Sequence, residues 1–110
     1  MGSQPFYPRL KALKRAPINF NSSGDNTIIS ADTDHRIMVH RLWFVVGGAT
    51  NITFKDNLAS PAAIPMAANG ALVFDVTGEP WFQTDKDQAF IINQSGTEQV
   101  SGCCDYSLEP

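Results

Sequence analysis

Residues 36–46, RIMVHRLWFVV, form the longest apolar run in the chain, and they constrain its fold more than any other stretch. β-Branched and aromatic side chains dominate the run, and these suit a pleated, packed surface better than a helix. It reads as a strand. Alternation with period two then places Ile37, Val39, Arg41, Trp43 and Val45 on one side, and Met38, His40, Leu42, Phe44 and Val46 on the other. Both sides are mostly apolar. A strand apolar on both faces lies between a core and a second covered surface, and in a chain of 110 residues that second surface points to another subunit or a partner protein. On this reading Ile37, Val39, Arg41, Trp43 and Val45 are candidate subunit-interface residues, joined by the bulky pair Trp81 and Phe82.

The remaining chain repeats this grammar in shorter pieces. Thr27–Ala31, Asn51–Lys55, a short edge segment near Ala63–Met66, Ala71–Val76, Trp81–Phe82, Ala89–Gln94 and Glu98–Leu108 read as strands, separated by Gly, Asn, Asp and Pro turn signals. Gly47-Gly48 predicts a tight hairpin between 36–46 and 51–55, and Asn69-Gly70 is a second strong reversal signal. No helical periodicity survives beyond eight residues. The expected fold is therefore all-β: one antiparallel β-sandwich or jelly roll of 7–8 strands, spanning residues 18–110.

Residues 1–17 differ in character. They hold Arg9, Lys11, Lys14 and Arg15 with no acid, so this segment carries +4 while the rest of the chain sums to −7. Prolines at 5, 8 and 17 oppose a helix, and fully extended the segment would reach about 55–60 Å. It reads as an extended basic arm able to cross a neighbouring subunit, with Phe6, Tyr7, Leu10 and Leu13 as apolar anchors beside its four bases.

Charged residues make up only 17% of the chain, against the usual quarter or so, which again favours covered surface. A −7 body is a poor candidate for nucleic acid. There is no apolar run of the length needed to span a membrane and no apolar signal-peptide core near the start, so synthesis in the cytoplasm is expected. Candidate chemistry is sparse. His35 and His40 are the only bases of the usual catalytic kind, and His40 sits within a strand, so no enzyme activity is expected. Cys103 and Cys104 are adjacent, which strains a mutual disulfide and points them to opposite faces of a strand; they are expected as free thiols that hold no metal. Asp32 with Asp34, and Asp85 with Asp87, are oxygen pairs in loops, and neither completes a calcium loop. No cofactor is expected.

The segments HRLWFVVGGATNITFKDN, MAANGALVFDVTGEPWFQT and AFIINQSGTEQVSG, closed by Tyr106, resemble the small all-β virion proteins of tailed bacteriophages, in which a TNITFK strand, an ANG turn, a PWF segment and a VSG strand recur in this order. The resemblance covers about residues 36–106. It implies a capsid decoration, or cement, protein: a homotrimer bound to the major capsid protein on the outside of the shell, made in the host bacterial cytoplasm. Its arm, through Phe6, Tyr7, Arg9, Leu10, Lys11, Leu13, Lys14 and Arg15, would clamp capsid subunits. The alternative expectation is a glycan- or receptor-binding module of the tail or host-attachment apparatus, with Trp81, Phe82 and the acidic loops as a sugar platform.

Overall fold

A computed structural model of the chain describes residues 13–56, 61–75 and 80–110. Nine strands run through them: β1 (Lys14–Phe20), β2 (Gly24–Ile29), β3 (Arg36–Val46), β4 (Thr50–Lys55), β5 (Ile64–Met66), β6 (Ala71–Asp75), β7 (Phe82–Gln83), β8 (Phe90–Gln94) and β9 (Val100–Glu109). They form two antiparallel sheets. The first has the order β1-β9-β3-β6, with β7 also paired to β3, and the second has the order β2-β8-β4-β5. Among the described residues no helix is long and apolar enough to cross a membrane.

The strand order follows a simple rule. β1 pairs with β9, β2 with β8, β3 with β6 and β4 with β5, all antiparallel, so the first half of the chain zips against the second like one long hairpin. That ladder then folds across itself into two layers. The fold is closed by β3 pairing with β9 and β4 pairing with β8. Prolines sit where such a ladder tolerates a missing N–H: Pro17 lies in β1 and Pro65 in β5, and both strands are sheet edges.

The inner faces of the two sheets share one core. Ile18, Ile37, Val39, Leu42, Phe44, Val46 and Val100 come from the first sheet, and Ile29, Ile52, Phe54, Phe90 and Ile92 from the second. Phe54 bridges the layers, its ring centroid 6.1 Å from Phe44 of the opposite sheet and 6.3 Å from Phe90 of its own. Opposite Phe44 on β9 stands Gly102, where any Cβ would collide with the Trp43 carbonyl oxygen and with Phe44 Cα at 2.6 Å. Only glycine permits so close an approach of β9 to β3.

Three expectations need correction. First, β3 does not alternate cleanly. A β-bulge between Val39 and Arg41 shifts its register against β9, so Ile37 and Val39 face inward before it and Leu42, Phe44 and Val46 face inward after it. Ile37 and Val39, expected at a subunit interface, are fully buried in the core. Second, Gly47-Gly48 does not close a hairpin. β3 and β4 belong to different sheets, so this turn carries the chain from one layer to the other. A local turn signal specifies reversal but not the partner, and both sides of β3 are already taken by β9 and by β6 with β7. Third, nine strands replace the expected 7–8, with β1 beginning at Lys14 inside the segment read as an arm, and with the two-residue β7.

Candidate functional site

The bulge at His40 determines what β3 shows to the outside. After it, Arg41, Trp43 and Val45 point away from the core, and Trp43 is 48% exposed. Residues one position out of phase would have been buried. On β6, Leu72 and Phe74 turn inward by the same alternation, which leaves Val73 outward and 68% exposed.

Pairing registers align these side chains into rows across the outer face of the first sheet. One row reads Pro17, Cys103, Trp43 and Val73 from β1 to β6. The next reads Asn19, Ser101, Val45 and Ala71. On the other side of the Trp43 row lies a charged one: Arg15, Asp105, Arg41 and Asp75. The result is an apolar strip, bounded on one side by small residues and on the other by alternating charge. A shallow depression of about 170 Å³ lies over Arg15, Arg41, Trp43, Val73, Asp75 and Cys103.

The charged row is held within the sheet by Asp105, whose side chain is largely shielded. Its Oδ1 accepts a hydrogen bond from Arg15 Nε at 2.9 Å, and its Oδ2 lies 3.3 Å from an Arg41 terminal nitrogen. The hydrogen bond to Asp105, with the carboxylate's charge, raises the Arg15 pKa above its ordinary value. Arg15 itself stays mostly in solvent, so this pairing orients the guanidinium more than it stabilises the fold. Next to it the two thiols part company. Cys104 faces the core, and burial pushes its pKa up to about 12, whereas Cys103 lies half-exposed beside Trp43.

The other candidate groups are engaged in local structure. His40, in the bulge, has its Nε2 2.9 Å from Ser107 Oγ. His35 Nδ1 lies 3.0 Å from Asp32 Oδ1 and 2.8 Å from the Thr33 carbonyl. An Asp87 oxygen accepts from the Asp34 amide, and Asp85 lies 3.8 Å from Arg36 while its amide donates to Asp56 Oδ2 at 2.9 Å. Among the described residues no three carboxylate, histidine or cysteine side chains converge to hold a metal ion.

Trp81 and Phe82 belong to an aromatic cluster within the fold. The Trp81 ring stacks on Phe74 at 4.5 Å and meets Phe54 edge-on at 4.9 Å; Phe82 lies 5.3 Å from Phe90. Both are half-buried, and the Trp81 ring packs against Phe54 and Phe74. Of the expected capsid-binding residues, Phe6, Tyr7, Arg9, Leu10 and Lys11 lie outside the described residues. Leu13 is exposed just before β1, and Lys14 and Arg15 are part of β1 itself. Sequence reasoning missed Val73, Asp75, Asp105 and Pro17 as members of the outer face. For Val73 and Asp75 the signal was present in the alternation of 71–75, but nothing local places that strand beside Trp43. Comparison of the chain with family models, with curated proteins and with solved structures finds no match.

Proposed function

We propose that this chain is a structural protein of a bacteriophage virion, a decoration protein that binds the outside of the capsid and stabilises it. The observation that carries the reading is the exposed strip of Trp43, Val45 and Val73 on the outer face of the first sheet. Contiguous apolar surface of this kind marks a protein contact. Two features support it further. The zipped pairing of β1·β9, β2·β8, β3·β6 and β4·β5 in two antiparallel sheets supports reading the fold as a jelly-roll β-sandwich, an architecture used by viral capsid proteins and by lectins. The TNITFK, ANG, PWF and VSG segments carry the resemblance to tailed-phage virion proteins.

In this reading the basic residues before β1 attach to the major capsid protein, while the sandwich self-associates on the surface. Bridging contacts between capsomers would then hold the shell against the pressure of packaged DNA. The test is co-sedimentation with the phage's own expanded, undecorated shells. The truncation must begin at Leu13, since a cut at Ile18 would remove half of β1 and the Arg15–Asp105 pair. Saturable binding by the full chain that is lost in the chain from Leu13 is the expected result. Failure of the full chain to sediment with shells overturns the proposal.

A further inference from the structure

We infer that two copies of this chain pair face to face through the outer surface of the first sheet, about a two-fold axis that runs along the strands between β9 and β3. Such an axis exchanges β1 with β6 and β9 with β3, because the sheet order is β1-β9-β3-β6. The charged row then meets itself reversed. Arg15, Asp105, Arg41 and Asp75 read plus, minus, plus, minus, so Arg15 faces the second copy's Asp75 and Asp105 faces its Arg41. Every charge in the row stands opposite its counterpart. Asp105 is already shared by Arg15 and Arg41 within its own sheet, so the new pairs are the two Arg15–Asp75 contacts at the rim.

The apolar rows are complementary in size under the same operation. Trp43, the largest exposed side chain, falls opposite Cys103, and Val73 falls opposite Pro17. Val45 meets Ser101, and Ala71 meets Asn19. In three of these four pairs the larger residue lies on β3 or β6 and the smaller on β9 or β1, and in the fourth Asn19 of β1 meets the small Ala71. Each pair thus sets a larger side chain against a smaller one between facing sheets about 10 Å apart.

Other occupants fit less well. The row is neutral and alternating, so a basic segment such as residues 1–12 would meet Arg15 and Arg41 as often as it met an aspartate. Four strands about 4.8 Å apart and about seven residues long present roughly 450 Å² in projection, below the roughly 800 Å² per partner of a standard interface. The pairing is therefore a reversible, concentration-dependent one. It uses the same strip as the virion reading, where it would be the self-association of the sandwich, but it is measured without shells, so the two can fail separately.

The experiment is sedimentation equilibrium of the full chain from about 1 to 500 μM, a range that brackets weak association. A monomer–dimer equilibrium is expected. Trp43→Gln should weaken it by about tenfold or more with circular dichroism unchanged, since Trp43 lies outside the core. Asp75→Arg and Arg15→Glu should each weaken it, and the two together in one chain should restore it. Those positions lie at opposite edges of one sheet and meet only across the axis. The inference is overturned by a monomer throughout, by a trimer, by a dimer indifferent to Trp43→Gln, or by a double variant no tighter than the single ones. A monomer in which Trp43 is shielded from solvent would assign the face to residues 1–12 instead, and would equally overturn it.

Discussion

Phe44→Ala is expected to lower the unfolding free energy by about 4 kcal/mol, the middle of the range for truncating a buried aromatic. Phe44 is fully buried on β3, and its ring lies 6.1 Å from that of Phe54 in the other sheet. Its removal leaves a cavity where the two layers meet. Gly102 across from it has no side chain that could move in, and Phe54 is already held by Phe74, Phe90 and Trp81. Since native stability is about 5–15 kcal/mol, the change consumes a large fraction of it. Urea unfolding measures the effect as a fall in midpoint at constant slope. Val73→Ala, on the exposed side of β6, is the control and should change stability by less than about 0.5 kcal/mol. Equal effects at the two positions would mean that the layers do not meet around Phe44.

Gln94→Leu should cost about 3 kcal/mol although it keeps the volume and adds apolar surface. Gln94 ends β8 and is 1% exposed. Its Oε1 accepts from Thr50 Oγ1 at 3.0 Å and from the Glu98 amide at 3.2 Å. Its Nε2 donates to the Glu98 carbonyl at 2.9 Å and to the Ser22 carbonyl at 3.2 Å. One amide therefore joins the approach to β2, the start of β4 and the turn between β8 and β9. The Thr50 hydroxyl extends the network, since its oxygen also accepts from the Gly96 amide at 3.1 Å. Leucine satisfies none of these groups, and partly buried backbone N–H and C=O left without partners cost about 1–3 kcal/mol each. Unfolding by urea again provides the number. Hydrogen exchange of Glu98 and Gly96 should rise at the same time, because their amides lose a direct or relayed partner. A neutral result would mean that this turn is held by other contacts.

The all-β class, the edge position of residues 64–66 and the inward faces of β4, β6 and β9 were all legible, because period-two alternation is a local property. Ile52 with Phe54, and Leu72 with Phe74, turn inward as their spacing implies. What alternation could not show was the bulge. A single extra residue at His40 inverts the phase of everything after it, and no residue type in VHRL announces it. That one shift explains why β3 looks apolar on both faces: each face is apolar for part of its length. Partner choice was equally hidden. Gly47-Gly48 gives a reversal whether β4 stays in the same sheet or crosses to the other, and only the competition among β4, β6 and β9 for the edges of β3 decides it. The outer face was half legible for the same reason. Trp43 and Val45 could be suspected from their own strand, whereas the alternating Arg15, Asp105, Arg41, Asp75 row exists only through pairings up to 90 residues apart in sequence.

Both functional readings rest on the bulge at His40 turning Trp43 outward, and acrylamide quenching of Trp43 fluorescence tests this most directly. The Trp81→Phe chain keeps an aromatic ring in the cluster with Phe54 and Phe74 and leaves Trp43 as the sole tryptophan, which is excited selectively at the red edge of the absorption band, beyond that of tyrosine. Measured at sub-micromolar concentration, where copies are apart, the half-exposed Trp43 should emit as a partly solvated indole and be quenched readily by acrylamide. Blue-shifted emission that resists quenching, and that persists in the chain beginning at Leu13, would put Trp43 inside the fold, return β3 to an unbroken alternation, and remove the contact face.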